Sequence, residues 1–183
     1  MLTVWILVVV VVVLVLWAVF TFNRLVTLRN RVENGWSQID VQLRRRYDLI
    51  PNLIETVKGY AAHEREVFEH VTEARTRAMG ATGVEDQANA ENAVTAGLGR
   101  LIAVAEAYPD LKANQNFLAL QEELIGTESK IAYARQFYND QVALLNTLVQ
   151  KFPANVIAGL GHFEPKPFFE IDEPVRGPVQ VDI

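Results

Sequence analysis

From Met1 to Phe22 the chain carries no charged side chain, and Val8 to Val13 form an unbroken valine run within it. No other feature restricts the possible folds so sharply. At 1.5 Å of rise per residue these 22 residues make a helix of roughly 33 Å, enough to cross a hydrocarbon layer about 30 Å thick. A bilayer offers the backbone no water, so a lone spanning segment must bond its amides internally as a helix, whatever valine prefers in solution. The rival reading is a cleaved signal peptide, which requires a basic start, a shorter apolar core and a small-x-small cleavage site. This stretch has none of the three. A retained anchor at 1–22, in contact with the lipid bilayer, is therefore expected. The chain contains no cysteine, which excludes a disulfide framework, a thiolate metal site and a cysteine-linked lipid.

Orientation follows from the arginines. Arg24, Arg29 and Arg31 follow the span closely and only the terminal amine precedes it. The positive-inside rule then places the N-terminus outside and the body in the cytoplasm, at the cell's inner membrane. Residues 24–46 hold six arginines against Glu33 and Asp40, a net of +4, which leaves −9 for the rest of a chain whose total is −5. Anionic headgroups attract a juxtamembrane arginine by about 1 kcal/mol, fading over a Debye length of roughly 8 Å. Arg24, Arg29 and Arg31 stand within that reach and form a membrane-proximal basic collar. On a straight helix Arg44, Arg45 and Arg46 stand about 30 Å from the span, so they are read as a solvated face or as partners for acidic side chains. The acidic remainder argues against nucleic acid as a partner.

Beyond the anchor the pattern is helical. Apolar residues at spacings of three and four run from Trp36, Ile39, Leu43 and Tyr47 through Ile50, Leu53 and Val57 to Val71 and Ala74, keeping phase across Pro51 apart from a gap at Glu64. An intervening loop would have no reason to preserve that repeat, so the expectation is one helix over about 23–79, kinked at Pro51. A restart capped by Asp48, with Pro51 in its first turn, is the alternative. The glycines of "MGATGVEDQ" end that helix. A second, alanine-rich helix follows over 85–107, with Gly97 and Gly99 inside it, and "YPD" breaks the chain again, with Asp110 placed to cap a third helix over 111–152. The fold class expected is all-α: a single transmembrane helix continuing into an elongated antiparallel bundle over 23–153.

The third helix breaks its own rule. Extending its stripe of Phe117, Leu124, Ile131 and Tyr138 lands on Gln121, Glu128 and Arg135, polar side chains on a face meant for burial. Buried charge must be paired, because an unpaired one costs several kcal/mol. An interhelix clasp is expected, joining Glu128 and Arg135 to Arg44, Arg45, Arg46 or Glu64, with a polar groove for a partner or ion as the alternative. After Pro153 a short helix and an aromatic strip over 154–170 bring Phe163, Phe168 and Phe169, expected to pack on the bundle or on a neighbouring subunit. A flexible tail is expected over 171–183.

No stretch carries the residues of a known reaction. There is no phosphate loop, no G-x-S-x-G and no EF-hand loop, and "HEREVFEH" places its second histidine at i+7 rather than i+4. Glu66 and His70 share a helix face but lack the paired E-x-x-H elements of a bundle metal site. Catalytic, cofactor and metal residues are therefore all expected to be none.

The strings "FNRLVTLRNRVENGWSQIDVQLRRRYDLIPNLIETVKGYAAHEREVFEHVTEAR" (22–75) and "YPDLKANQNFLALQEELIGTESKIAYARQFYNDQVALLNTLVQKFP" (108–153), with "FF" near the C-terminus, resemble the LemA family from the anchor to Glu170. The resemblance implies a bacterial single-pass protein with a long-helix cytoplasmic domain, an N-terminus outside, no established enzymatic activity, and relatives in magnetosome membranes. The matching positions are Trp36, Asp40, Arg45, Arg46, Tyr47, Asp48, Pro51, Asn52, Tyr108, Pro109, Asn114, Asn116, Glu128, Arg135, Tyr138 and Asn139. Gly35 departs from it, where a small helix former such as alanine is expected. Two functions follow as expectations: a non-enzymatic membrane scaffold that self-associates as a homo-oligomer, or an adaptor presenting the acidic body to a protease or signalling partner.

Overall fold

A computed structural model of the chain describes residues 1–171. Those residues form α1 (Leu2–Lys58), α2 (Arg65–Gly80), α3 (Val84–Glu106), α4 (Pro109–Lys112), α5 (Gln115–Gln150) and α6 (Ala154–Leu160), with no strand among them. The all-α class read from the sequence is the class observed. The chain divides into two compact units, one of Met1–Val41 with Ile131–Phe168, the other of Gln42–Lys130 with the segment from Phe169. The expected loose tail lies, except for Ile171, outside the described residues.

In the first unit α1 begins as a helix long and apolar enough to cross a membrane, and none of its most apolar window is buried in the protein. The pattern changes past Phe22. Leu25, Leu28, Val32 and Ile39 are buried, and so are Ile131, Ala134, Tyr138, Val142 and Leu145 of α5, each set at the three-and-four spacing that puts residues on one side of a helix. Gly35 explains itself here. A Cβ on it would lie 3.2 Å from the Tyr138 Cα, so the position needs the smallest residue for α1 and α5 to close up. Trp36 then packs beside the Tyr138 ring at 5.7 Å.

Up to Phe168 the aromatic strip belongs to the first unit. Phe163 is buried, edge-on to Phe22 at 5.6 Å, with the Arg29 guanidinium 5.2 Å above its ring. Asn146 ties down the chain beyond it, donating to the Lys166 carbonyl (2.9 Å) and accepting from the Lys166 amide (2.8 Å). Phe168 is exposed, and Phe169, which belongs to the second unit, is fully buried. The Tyr138 hydroxyl donates to the Pro167 carbonyl at 2.9 Å, and burial pushes its pKa above the ordinary 10.0. A raised folded-state value means the neutral phenol is the form that stabilises the fold, fully so below pH 10 and less as pH climbs through the raised value. Tyr138→Phe is expected to cost about 1 kcal/mol at neutral pH. Urea unfolding should show that gap to wild type narrowing above pH 10; a gap independent of pH would refute the assignment.

In the second unit the expected 23–79 helix is corrected. α1 passes through Pro51 and ends at Lys58, and α2 begins at Arg65 with Glu64 as its N-cap residue. The break thus falls at the gap in the apolar repeat. Gly59, a poor helix former, opens it, and the Tyr60 and Ala61 amides turn back onto the Val57 carbonyl at 3.0 and 2.9 Å. The long third helix is corrected as well, since "PDLK" forms the separate α4. Asp110 lies in the first turn of that short helix, and α5 is capped by Asn114, whose Oδ1 accepts from the amides of Asn116 (2.9 Å) and Phe117 (3.1 Å). Small residues bring α2 and α3 together: a Cβ on Gly97 would sit 3.2 Å from a Val71 methyl.

Candidate functional site

Three consecutive arginines on a helix point about 100° apart, so they cannot share one environment. Arg46 is the inward one, 1% exposed, and Tyr47 beside it is also buried. Arg45 lies at the surface, paired to Glu123 at 2.9 Å, and Arg44 is exposed. The Arg46 guanidinium bridges two carboxylates. One terminal nitrogen donates to both Glu128 oxygens, at 2.9 and 3.1 Å, and the other donates to Glu91 of α3. Glu91 is completely buried, whereas the Glu128 side chain is 41% exposed. The Tyr47 hydroxyl donates to the second Glu91 oxygen. The Gln87 amide reaches that same oxygen at 2.7 Å, the Tyr47 hydroxyl at 2.8 Å and the Ala78 carbonyl at 3.1 Å. One guanidinium against two carboxylates leaves the cluster formally −1, which Glu128 shares with solvent.

Pro51 belongs to the same site. A proline has no N–H, so it deprives the carbonyl four residues earlier, that of Tyr47, of its helical partner. Arg75 of α2 supplies the replacement, its Nε donating to the Tyr47 oxygen at 2.8 Å. A buried carbonyl left unpaired costs as much as a lost hydrogen bond, which is why α1 continues through the proline only with α2 beside it.

Of the residues expected in an interhelix clasp, the structure brings together Arg46 and Glu128, and joins Arg45 to Glu123 instead. Glu64 stands half-buried at the head of α2, Gln121 is half-buried on α5, and neither enters the cluster; Arg135 belongs to the other unit. Arg24 and Arg31 are exposed on α1, while Arg29 holds the face of Phe163. Sequence reasoning missed Glu91, Gln87 and Arg75. A signal for two of them existed: stepping back from Val94 at spacings of three and four reaches Glu91 and Gln87, as polar an interruption as the one noticed in the third helix. Arg75 has no such mark. A concavity of about 640 Å³ lies beside Glu123, where Asn52, Tyr60, Asn114 and Asn116 meet; Asn114 donates to the Tyr60 hydroxyl at 3.0 Å.

These features define a membrane-protein class with one apolar N-terminal helix and an all-helical body, one unit of which encloses an internal ion cluster. Residues 35–183 match the model of the LemA family, and the chain belongs to that family. It is 25% identical over 175 residues to Magnetosome protein MamQ 2 of Paramagnetospirillum magneticum, a match covering 81% of this chain and 64% of that one. Magnetosome protein MamQ of Magnetospirillum gryphiswaldense is 23% identical over 174 residues, with coverage again of 81% and 64%. Protein LemA of Metamycoplasma hominis is 25% identical over 138 residues, covering 74% of this chain and 63% of its own. The chain thus spans just under two thirds of the length of these curated relatives.

Proposed function

We propose that this LemA-family chain is a non-enzymatic membrane scaffold that self-associates along the outer side of α5. The observation that carries this reading is a second apolar stripe. Tyr133, Phe137 and Leu144 are exposed while Ile131, Tyr138, Val142 and Leu145 of the same helix are buried. Spacings of four and seven put the three exposed residues on one side of α5, where two aromatics and a leucine have the character of an interface centre. The arginines after the span support a body in the cytoplasm and an N-terminus outside. In the ion cluster every charge is engaged by another protein group, which suits a role in architecture.

Photo-crosslinking from Tyr133 in native membranes tests the reading. A dominant self-adduct is expected, lost in Phe137→Glu/Leu144→Glu protein that retains its helical circular dichroism. A dominant adduct to a different protein would favour the adaptor role instead. Detergent-solubilised protein that stays monomeric at micromolar concentration in native mass spectrometry would count against self-association outright.

A further inference from the structure

Two of the three large apolar side chains of α6 face outward, and the third, Ile157, is half-buried. Its buried positions are Ala154 and Ala158, whereas Val156 and Leu160 are exposed, Leu160 at 76%, and Phe152 in the turn just before it is 75% exposed. Val156 and Leu160 lie one turn apart on one side of the helix, and Phe152 is exposed in the turn that leads into it. A helix that meets water on that side would carry the opposite pattern, small or polar residues outside and large apolar ones inside.

The position of α6 says what covers this face. Gly161, which follows the helix, lies so close to the end of the apolar run that a Cβ on it would come within 3.1 Å of the Phe22 ring. Phe163, two residues later, packs against the same ring at 5.6 Å. Phe22 is the last apolar residue before the first charge, Arg24. Exposure along α1 changes at this level too: residues 1–16 are all exposed, Trp17 and Ala18 are half-buried, and Thr21 is buried. Cations are near in the chain or in space, with Lys151 exposed next to Phe152 in sequence and Arg29 over Phe163, and Arg24 is exposed two residues past Phe22. An apolar face beside basic residues is the composition of a helix that lies in the headgroup layer.

We propose that α6 is an interfacial helix, with Phe152, Val156 and Leu160 seated in the headgroup boundary of the bilayer that holds the span. This rests on the reading that residues 1–22 cross the membrane. A lipid surface is favoured over a second copy because α6 leads directly into Gly161 and Phe163, which lie against Phe22 at the end of the apolar run, where lipid surrounds whatever the protein leaves uncovered. Interfacial helices of this kind bury their apolar side roughly 5–10 Å into that boundary. α6 would then fix the angle at which the first unit meets the membrane, since a second attachment held at headgroup depth restricts tilting of the unit on its span.

The absence of cysteine makes the test direct. Leu160→Cys and Val156→Cys each accept one nitroxide label in the full-length protein in lipid nanodiscs, with Leu14→Cys as a label within the span and Ser37→Cys as one on exposed α1, roughly 22 Å past Phe22. Labels at 156 and 160 are expected to favour dissolved oxygen over a water-soluble nickel chelate several-fold more than the label at 37, approaching the label at 14. A label at 160 as open to nickel as the one at 37, with 14 still in lipid, overturns the interfacial helix alone. Nickel access at 14 overturns the membrane reading on which it rests. Spin–spin broadening at 160 that disappears on dilution with unlabelled protein assigns the face to a second copy, and overturns the lipid assignment.

Discussion

Arg46→Met is expected to destabilise the second unit by about 3–5 kcal/mol, the loss that follows when one partner of a buried ion pair is removed and the other stays behind. Glu91 makes the effect large. It is fully buried, so without the guanidinium its charge keeps only the hydrogen bonds from Tyr47 and Gln87. Removing both charges is a different matter: Arg46→Met/Glu91→Met leaves no orphaned charge, since Glu128 is partly in water, and what is lost besides is the acceptor of the Tyr47 hydroxyl, which still accepts from Gln87. That double variant should recover most of the loss, because apolar replacement of a whole buried pair is often neutral or better. Urea unfolding followed by circular dichroism of the full-length protein in detergent measures both. Equal losses in the single and double variants would show that the cluster acts through packing volume and not through charge. Exchanging charges as Arg46→Glu/Glu128→Arg should rescue the single Arg46→Glu variant only in part, because a glutamate at 46 then faces Glu91.

Arg75→Met is expected to cost about 1–3 kcal/mol, the range for a buried acceptor stripped of its donor. The cause assigned to it is specific: Arg75 serves the Tyr47 carbonyl that Pro51 leaves without its helical amide. Pro51→Ala restores that amide. In a Pro51→Ala background Arg75→Met should therefore cost clearly less, with a coupling between the two sites on the order of 1 kcal/mol. Additive losses across the double-mutant cycle would detach the arginine from the proline and leave the continuity of α1 unexplained.

What the residues announced and what they concealed differ in kind. Periodicity carried the apolar stripe of α1 across Pro51, and the helix does run through it, but periodicity is a property of faces and says little about ends. The gap at Glu64 therefore passed for a flaw in a long helix when it was the start of a new one. Asp110 passed for a cap where Asn114 holds that place, because both stand near a chain break and only backbone geometry distinguishes them. In the site, Glu128 stood out as a charge that an inner stripe had to accommodate, and Arg46 was one of three consecutive arginines offered as its partner. Glu91 sat in an alanine-rich helix whose weak stripe hid it, and Arg75 stood on no stripe and beside no break that would single it out. Gly35 stood out as an exception whose reason, the 3.2 Å approach of Tyr138, lay about a hundred positions further along the chain.

The sequence by itself determined the all-α class, the apolar head and its basic flank, and the need for charge to be paired inside the body. Each of these follows from what a side chain requires of its solvent or of neighbours within two turns of its own helix. Only the tertiary structure decided which carboxylates Arg46 would meet, which donor would take up the carbonyl freed by Pro51, and that Val156 and Leu160 of α6 would be left facing outward beside the span. Those outcomes depend on distances between segments far apart in the chain, which no local spacing encodes.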